Sequence, residues 1–130
     1  GGYKFDKKTK TFPIFINYDK QDDISDTTKY EDHFVGDNRL IAISKSGRTI
    51  ASEDVQNFLH AKERGIDVQL FVRKNKDDKI SKEFYYLGRV NATGQVKEFV
   101  MPNTDKTAVE IEWILDTPVR EDIYEYIVNG

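Results

Sequence analysis

Val109-Glu110-Ile111-Glu112-Trp113-Ile114-Leu115 decides how this chain is read. Val109, Ile111, Trp113 and Leu115 alternate with Glu110, Glu112 and Ile114, the period-2 signature of a β-strand with one face packed inward. Trp113 therefore belongs to a core rather than to a ligand site. Working back toward the amino terminus, Glu83–Val90 and Gln95–Val100 read as two paired strands joined around Gly94. Val68–Arg73 is strand-like, and Lys74–Lys82 is a charged hairpin loop. Four strand signals thus follow one another with no helix between them.

The first half holds the rest. Thr11–Tyr18 is rich in β-branched and aromatic residues, with Phe12, Ile14 and Ile16 on one face, Phe15 on the other, and Pro13 near the start where a missing donor is tolerated. Asp19–Thr28 is polar and aperiodic, a loop. Leu40–Ser44 is a short buried strand, followed by a turn at Lys45–Thr49. Ser52 is a helix cap, Glu53 and Asp54 fill the first turn, Val55, Phe58 and Leu59 form the apolar stripe, and Gly65 is the C-terminal stop. Pro118 opens a closing helix that carries Val119, Ile123 and Ile127. Five or six strands and two helices favour an α+β fold: a curved, mostly antiparallel sheet or a small β-barrel with two flanking helices. A doubly wound nucleotide fold needs more crossover helices than this chain supplies.

The 130 residues suit one domain, 1–130, with 38% hydrophobic and 33% charged residues marking a globular unit. Gly1-Gly2 reads as a cloning scar ahead of a piece of something larger. No apolar run approaches the roughly 18 residues of a membrane span and no signal-peptide pattern opens the chain, so a cytoplasmic setting with no membrane partner is expected. There is no cysteine and only His33 and His60, which argues against disulfides, thiol nucleophiles and histidine-rich metal sites. Net charge is −3, unevenly spread: residues 1–100 carry 18 Lys and Arg against 16 Asp and Glu, and residues 101–130 carry 2 against 7. A face built from the first hundred residues can be locally basic.

Enzyme signatures fail on spacing. No phosphate-binding Gly-rich loop and no dinucleotide fingerprint is present. Asp19, Gln21, Asp23 and Ser25 imitate the start of a calcium loop, but Ile24 stands where Gly is required and Tyr30 where a bidentate Glu is required. Asp6-Lys7-Lys8 and Asp77-Asp78-Lys79 lie in highly charged segments without the rigid support catalysis needs. No catalytic residue, metal or cofactor is expected. What remains is a binding chemistry: Tyr30-Glu31-Asp32-His33-Phe34 sets rings beside a carboxylate, the combination that stacks on a planar heterocycle while accepting hydrogen bonds from its exocyclic amine.

The succession Ile16–Lys20, Tyr30–Asp32, Leu40–Ser44 with Arg48-Thr49, Leu70–Lys74 and Phe84–Gly88 resembles the carboxy-terminal domain of unknown function found on many bacterial superfamily II helicases. In SauUSI-type, modification-dependent (type IV) restriction enzymes such a domain looks like an SRA (SET and RING-associated) fold of SRA/PUA-like type that recognises 5-methylcytosine or 5-hydroxymethylcytosine. The resemblance implies double-stranded DNA carrying modified cytosine as partner, together with helicase and nuclease domains of the same parent chain that hold the ATP hydrolysis and cleavage. It implies a flipped base stacked by Tyr30 and Phe34, with Tyr18 in reserve. Asp32 would accept from cytosine N4 and Ser44 or Thr49 would bond the remaining edge, while Lys20, Arg39, Lys45 and Arg48 contact the DNA backbone. Many relatives carry Trp where this chain has Ala42, so its pocket is either wider or walled by another ring, with Phe34, Tyr18 and Tyr85 as candidates. The rival readings are an RNA or unmodified-DNA binding module and an intramolecular docking domain.

Overall fold

The computed structural model describes residues 2–18, 31–74 and 83–129. Seven strands form one sheet: β1 (Gly2–Tyr3), β2 (Thr11–Tyr18), β3 (His33–Gly36), β4 (Arg39–Ile43), β5 (Asp67–Lys74), β6 (Tyr85–Val100) and β7 (Thr107–Leu115). Helix α1 (Glu53–Leu59) lies between β4 and β5, and α2 (Glu121–Asn129) follows β7. The strand order is β1-β2-β5-β6-β7-β4-β3. Every neighbouring pair is antiparallel except β2 and β5, which run parallel with Phe12 opposite Val68. With β1 and β3 as its edges the sheet is open, so of the two expected architectures the curved antiparallel sheet is the observed one and the closed barrel is not.

Alternation builds the core as the sequence predicts. Phe12, Ile14, Ile16 and Tyr18 of β2, Val68, Leu70 and Val72 of β5, and Val109, Ile111, Trp113 and Leu115 of β7 all face inward and are buried. Beneath α1 the rings run continuously: Tyr3 meets Phe58 at 4.9 Å, Phe58 meets Phe12 at 4.4 Å and Trp113 at 5.2 Å between centroids. The first and last of these contacts are edge-to-face and add to burial because the ring quadrupoles complement one another. Helix α2 closes the far end, with Ile127 fully buried and Tyr124 against Phe34 at 5.8 Å. On the outward face Phe15, Phe71, Phe84 and Tyr86 pack across β2, β5 and the start of β6.

Four local expectations are revised. The two strands expected around Gly94 are one strand, β6, whose first part pairs with β5 and whose remainder pairs with β7; Gly94, at φ 99°, sits in a register shift between Ala92 and Val96 instead of in a hairpin turn. A glycine with positive φ serves a bulge as readily as a turn. Ser52 occupies the cap position of α1, but its Oγ accepts from Thr49 N at 2.9 Å and caps nothing in the helix. Helix α1 ends at Leu59, and Gly65, at φ 67°, closes a separate turn in which Ile66 N donates to Ala61 O at 2.8 Å. Pro118 precedes α2 by three residues, because Val119 N is taken by Asp37 O at 2.7 Å. The expected loop at Asp19–Thr28 and residues 75–82 of the expected hairpin loop lie outside the described residues.

Candidate nucleic-acid interface

The end of β4 and the start of β3 are sewn together by side chains. Asp32 precedes β3, and its Oδ1 accepts from Ile43 N at 2.7 Å, so a carboxylate takes the place of the next ladder carbonyl. One residue on, Ser44 N donates to Val109 O at 2.8 Å, Ser44 Oγ accepts from Val109 N at 2.9 Å, and the same hydroxyl donates to Lys45 O at 3.0 Å. Strand β4 thus stays joined to β7 one residue beyond Ile43, through both the backbone and the side chain of Ser44.

Behind this seam lies a recess lined by Asp32, Ala42, Ser44, Tyr3, Phe58 and Trp113, with isoleucines completing it. The recess is partly open, and its free volume is about 10 Å³. That is room for one small group. The walls are overwhelmingly hydrocarbon, and among the described residues Asp32 is the one carboxylate on them.

Tyr3 divides the recess from a second, wider groove of about 540 Å³ that is lined by Lys4, Lys7, Lys45, Arg48 and Asp54. The Tyr3 hydroxyl donates to Asp54 Oδ2 at 2.5 Å and accepts from Lys45 N at 3.1 Å. Lys45 Nζ donates to Tyr3 O at 2.9 Å and stands 4.6 Å from the centre of its ring. Arg48 Nε meets Asp54 Oδ2 at 2.9 Å. Burial, then the bond to Asp54, holds the Tyr3 phenol well above its ordinary pKa. Burial pushes Asp54 upward, but bonds from Tyr3, Arg48 and the Val55 amide outweigh it, and the carboxyl lies below the usual carboxylate range. The bond to Asp54 raises the Arg48 guanidinium in turn. One ionised acid therefore fixes a ring, a cation and the turn that carries Lys45.

The structure brings some of the expected residues together and separates others. Asp32 and Ser44 line the recess, and Lys45 and Arg48 line the groove beside it. Tyr18 and Phe34 are core: each is 8% exposed, their rings lie 5.6 Å apart, and Phe34 N donates to Tyr18 Oη at 3.3 Å. They brace the start of β3 from beneath, and burial raises the Tyr18 phenol pKa. Tyr85 stands beside Tyr126 of α2 at 5.9 Å, away from the recess lining. Thr49 is tied to Ser52 at the foot of α1. Arg39 pairs with Glu112 at 2.9 Å at the opposite end of β4 from Lys45, about 20 Å away at the rise of a strand. Tyr30 and Lys20 lie outside the described residues. Tyr3, Lys4 and Lys7 were not among the sequence candidates, although Tyr3 and Phe5 alternating with Lys4 and Asp6 carry a faint period-2 signal. Among the described residues no group of three or more His, Asp or Glu is placed to hold a metal, and no helix is long and apolar enough to cross a membrane.

An open, mostly antiparallel sheet with two helices is the fold of the SRA class. The chain is similar to SUVH5 SRA in its crystal structure with fully methylated CG DNA, at TM-score 0.53 and 11% identity over 92% of this chain and 76% of that one. It is equally similar to SUVH5 SRA in complex with methylated CHH DNA, at TM-score 0.53 and 12% identity over 92% and 74%. By sequence the chain belongs to the family described as domain of unknown function DUF3427, matched over residues 1–127. No curated protein matches it.

Proposed function

We propose that this domain reads 5-methylcytosine or 5-hydroxymethylcytosine in double-stranded DNA by taking the base out of the helix and setting its N4 and C5 edge against the recess beside Asp32. On this reading it directs the helicase and nuclease domains of a type IV restriction enzyme to modified DNA, and contributes recognition while cleavage and ATP hydrolysis lie elsewhere in the parent chain. One observation carries the proposal: a carboxylate held rigidly at a small apolar recess that adjoins a cation-lined groove. The SRA fold, seen in SUVH5 with methylated DNA, supports it.

The energetics are compatible. Extruding a base costs a few kcal/mol. Stacking on one ring returns about 1–3 kcal/mol, and a hydrogen bond from N4 to a carboxylate about 1.5–3 kcal/mol. With Tyr18 and Phe34 committed to the core, stacking falls to Tyr30, and their part is to hold β3 so that Asp32 keeps its orientation. Thymine presents a carbonyl where cytosine presents N4, so Asp32 rejects it. Lys45 and Arg48, with Lys4 and Lys7, receive the phosphates along the groove.

The test is a titration of labelled duplexes with and without a single 5-methylcytosine at two salt concentrations. Tighter binding of the modified duplex is expected, with both affinities falling as salt rises. Equal binding to both refutes modified-base recognition in favour of a general nucleic-acid module, and no binding to either favours the docking role.

A further inference from the structure

On a pyrimidine ring the N4 amine and the C5 substituent are neighbours, so a site that grips N4 decides by its adjacent wall what may be carried at C5. Here that wall is apolar and nearly full. We infer that the recess beside Asp32 selects a bare methyl group over hydroxymethyl and larger C5 substituents, with Ala42 as the residue that sets the limit. The inference rests on the base-recognition reading above and goes beyond it by ranking the two modified bases.

Three observations converge. The free volume of about 10 Å³ is that of about one water, which one carbon fills and a carbon bearing an oxygen exceeds. Of the two hydroxyls in the lining, that of Ser44 already gives its proton to Lys45 O and that of Tyr3 gives its proton to Asp54, so neither has a hydrogen left to donate to a hydroxymethyl oxygen. The Ile43 N–H beside Ser44 is given to Asp32. A hydroxymethyl oxygen would find no donor among these groups and could only give its own proton to Asp32, in competition with N4, so the oxygen it adds is desolvated for little return. Ala42 is 8% exposed and projects into the recess, where a larger side chain would occupy the space.

The experiment compares duplexes carrying one cytosine, 5-methylcytosine or 5-hydroxymethylcytosine, each with 2-aminopurine at the neighbouring position so that its fluorescence reports extrusion separately from affinity. The methylated duplex is expected to bind about fourfold tighter than the unmodified one, as one buried carbon dictates. The hydroxymethylated duplex is expected about tenfold weaker than the methylated one. In Ala42→Val the ratio of methylated to unmodified binding falls to one; in Ala42→Ser, which places a hydroxyl in the recess, the ratio of hydroxymethyl to methyl rises. Thermal melting of both variants checks that they fold. Extrusion with hydroxymethyl bound as well as methyl overturns the inference and leaves the base-recognition reading standing. Absence of extrusion in all three duplexes overturns both, and unchanged ratios in two folded Ala42 variants overturn the role of Ala42.

Discussion

Replacing Tyr3 by Phe removes one oxygen atom and with it two contacts that join segments far apart in the chain. The ring stays, so the packing against Phe12 and Phe58 is kept. What goes is the donation to Asp54 and the acceptance from Lys45 N, which leaves a part-buried amide without its partner. A bond to a charged acceptor contributes about 1.5–3 kcal/mol and a neutral one about 1 kcal/mol; with Asp54 still served by Arg48 and Val55, a net loss of about 2 kcal/mol is expected. For a chain of this length that lowers Tm by roughly 5–10 °C. The pH dependence is diagnostic. The Tyr3 phenol titrates above its unfolded value, so its contribution is whole below about pH 10 and erodes as pH rises further, when the unfolded chain ionises first. Asp54 titrates below its unfolded value, so its contribution is present above about pH 4 and is lost as pH falls through the folded value. The gap between parent and variant should therefore be widest at neutral pH and narrow toward both extremes. Calorimetric melts across that range measure it, and superimposable neutral-pH melts for the two proteins would refute the reasoning.

Asp32→Ala should cost about 1–3 kcal/mol by leaving Ile43 N unpaired, whereas Asp32→Asn keeps an acceptor for that amide and should lose discrimination between 5-methylcytosine and thymine; urea melts and competition titrations separate the two effects. Trp113→Ala empties a site that is 1% exposed and touches Phe58, and should destabilise the fold by about 3–5 kcal/mol in chemical denaturation. Gly94→Ala meets no heavy atom within 4 Å, so its cost should be that of a positive φ alone, about 1 kcal/mol in the same assay, with β6 still paired to β7 by amide exchange protection.

The parts legible in the sequence are those in which a local pattern and the tertiary fold agree. Thr11–Tyr18, Val68–Arg73 and Val109–Leu115 each show the alternation that burial enforces, and Trp113 is core for that reason. Gly94 was misleading because positive φ is common to turns and bulges, and what decides between them is β7, whose register spans the whole of β6 beyond Arg89. Tyr3 could not be placed because its partner Asp54 is 51 residues away and nothing near either residue announces the other. The Tyr30–Phe34 cluster illustrates the converse: Asp32, just ahead of β3, reaches the recess, while Phe34, two residues on and inside the strand, is taken up by the core against Tyr18 and Tyr124.

The parallel register of β2 on β5 has a kinetic consequence. Phe12 lies opposite Val68, and on the other side of the sheet Ala42 lies opposite Ile111, so two of the central pairings close loops of more than half a hundred residues before they gain any ladder bond. Such loop entropy must be surmounted early, which sets the refolding of this chain in the millisecond-to-second regime of non-local β topologies, well behind helical bundles of the same size.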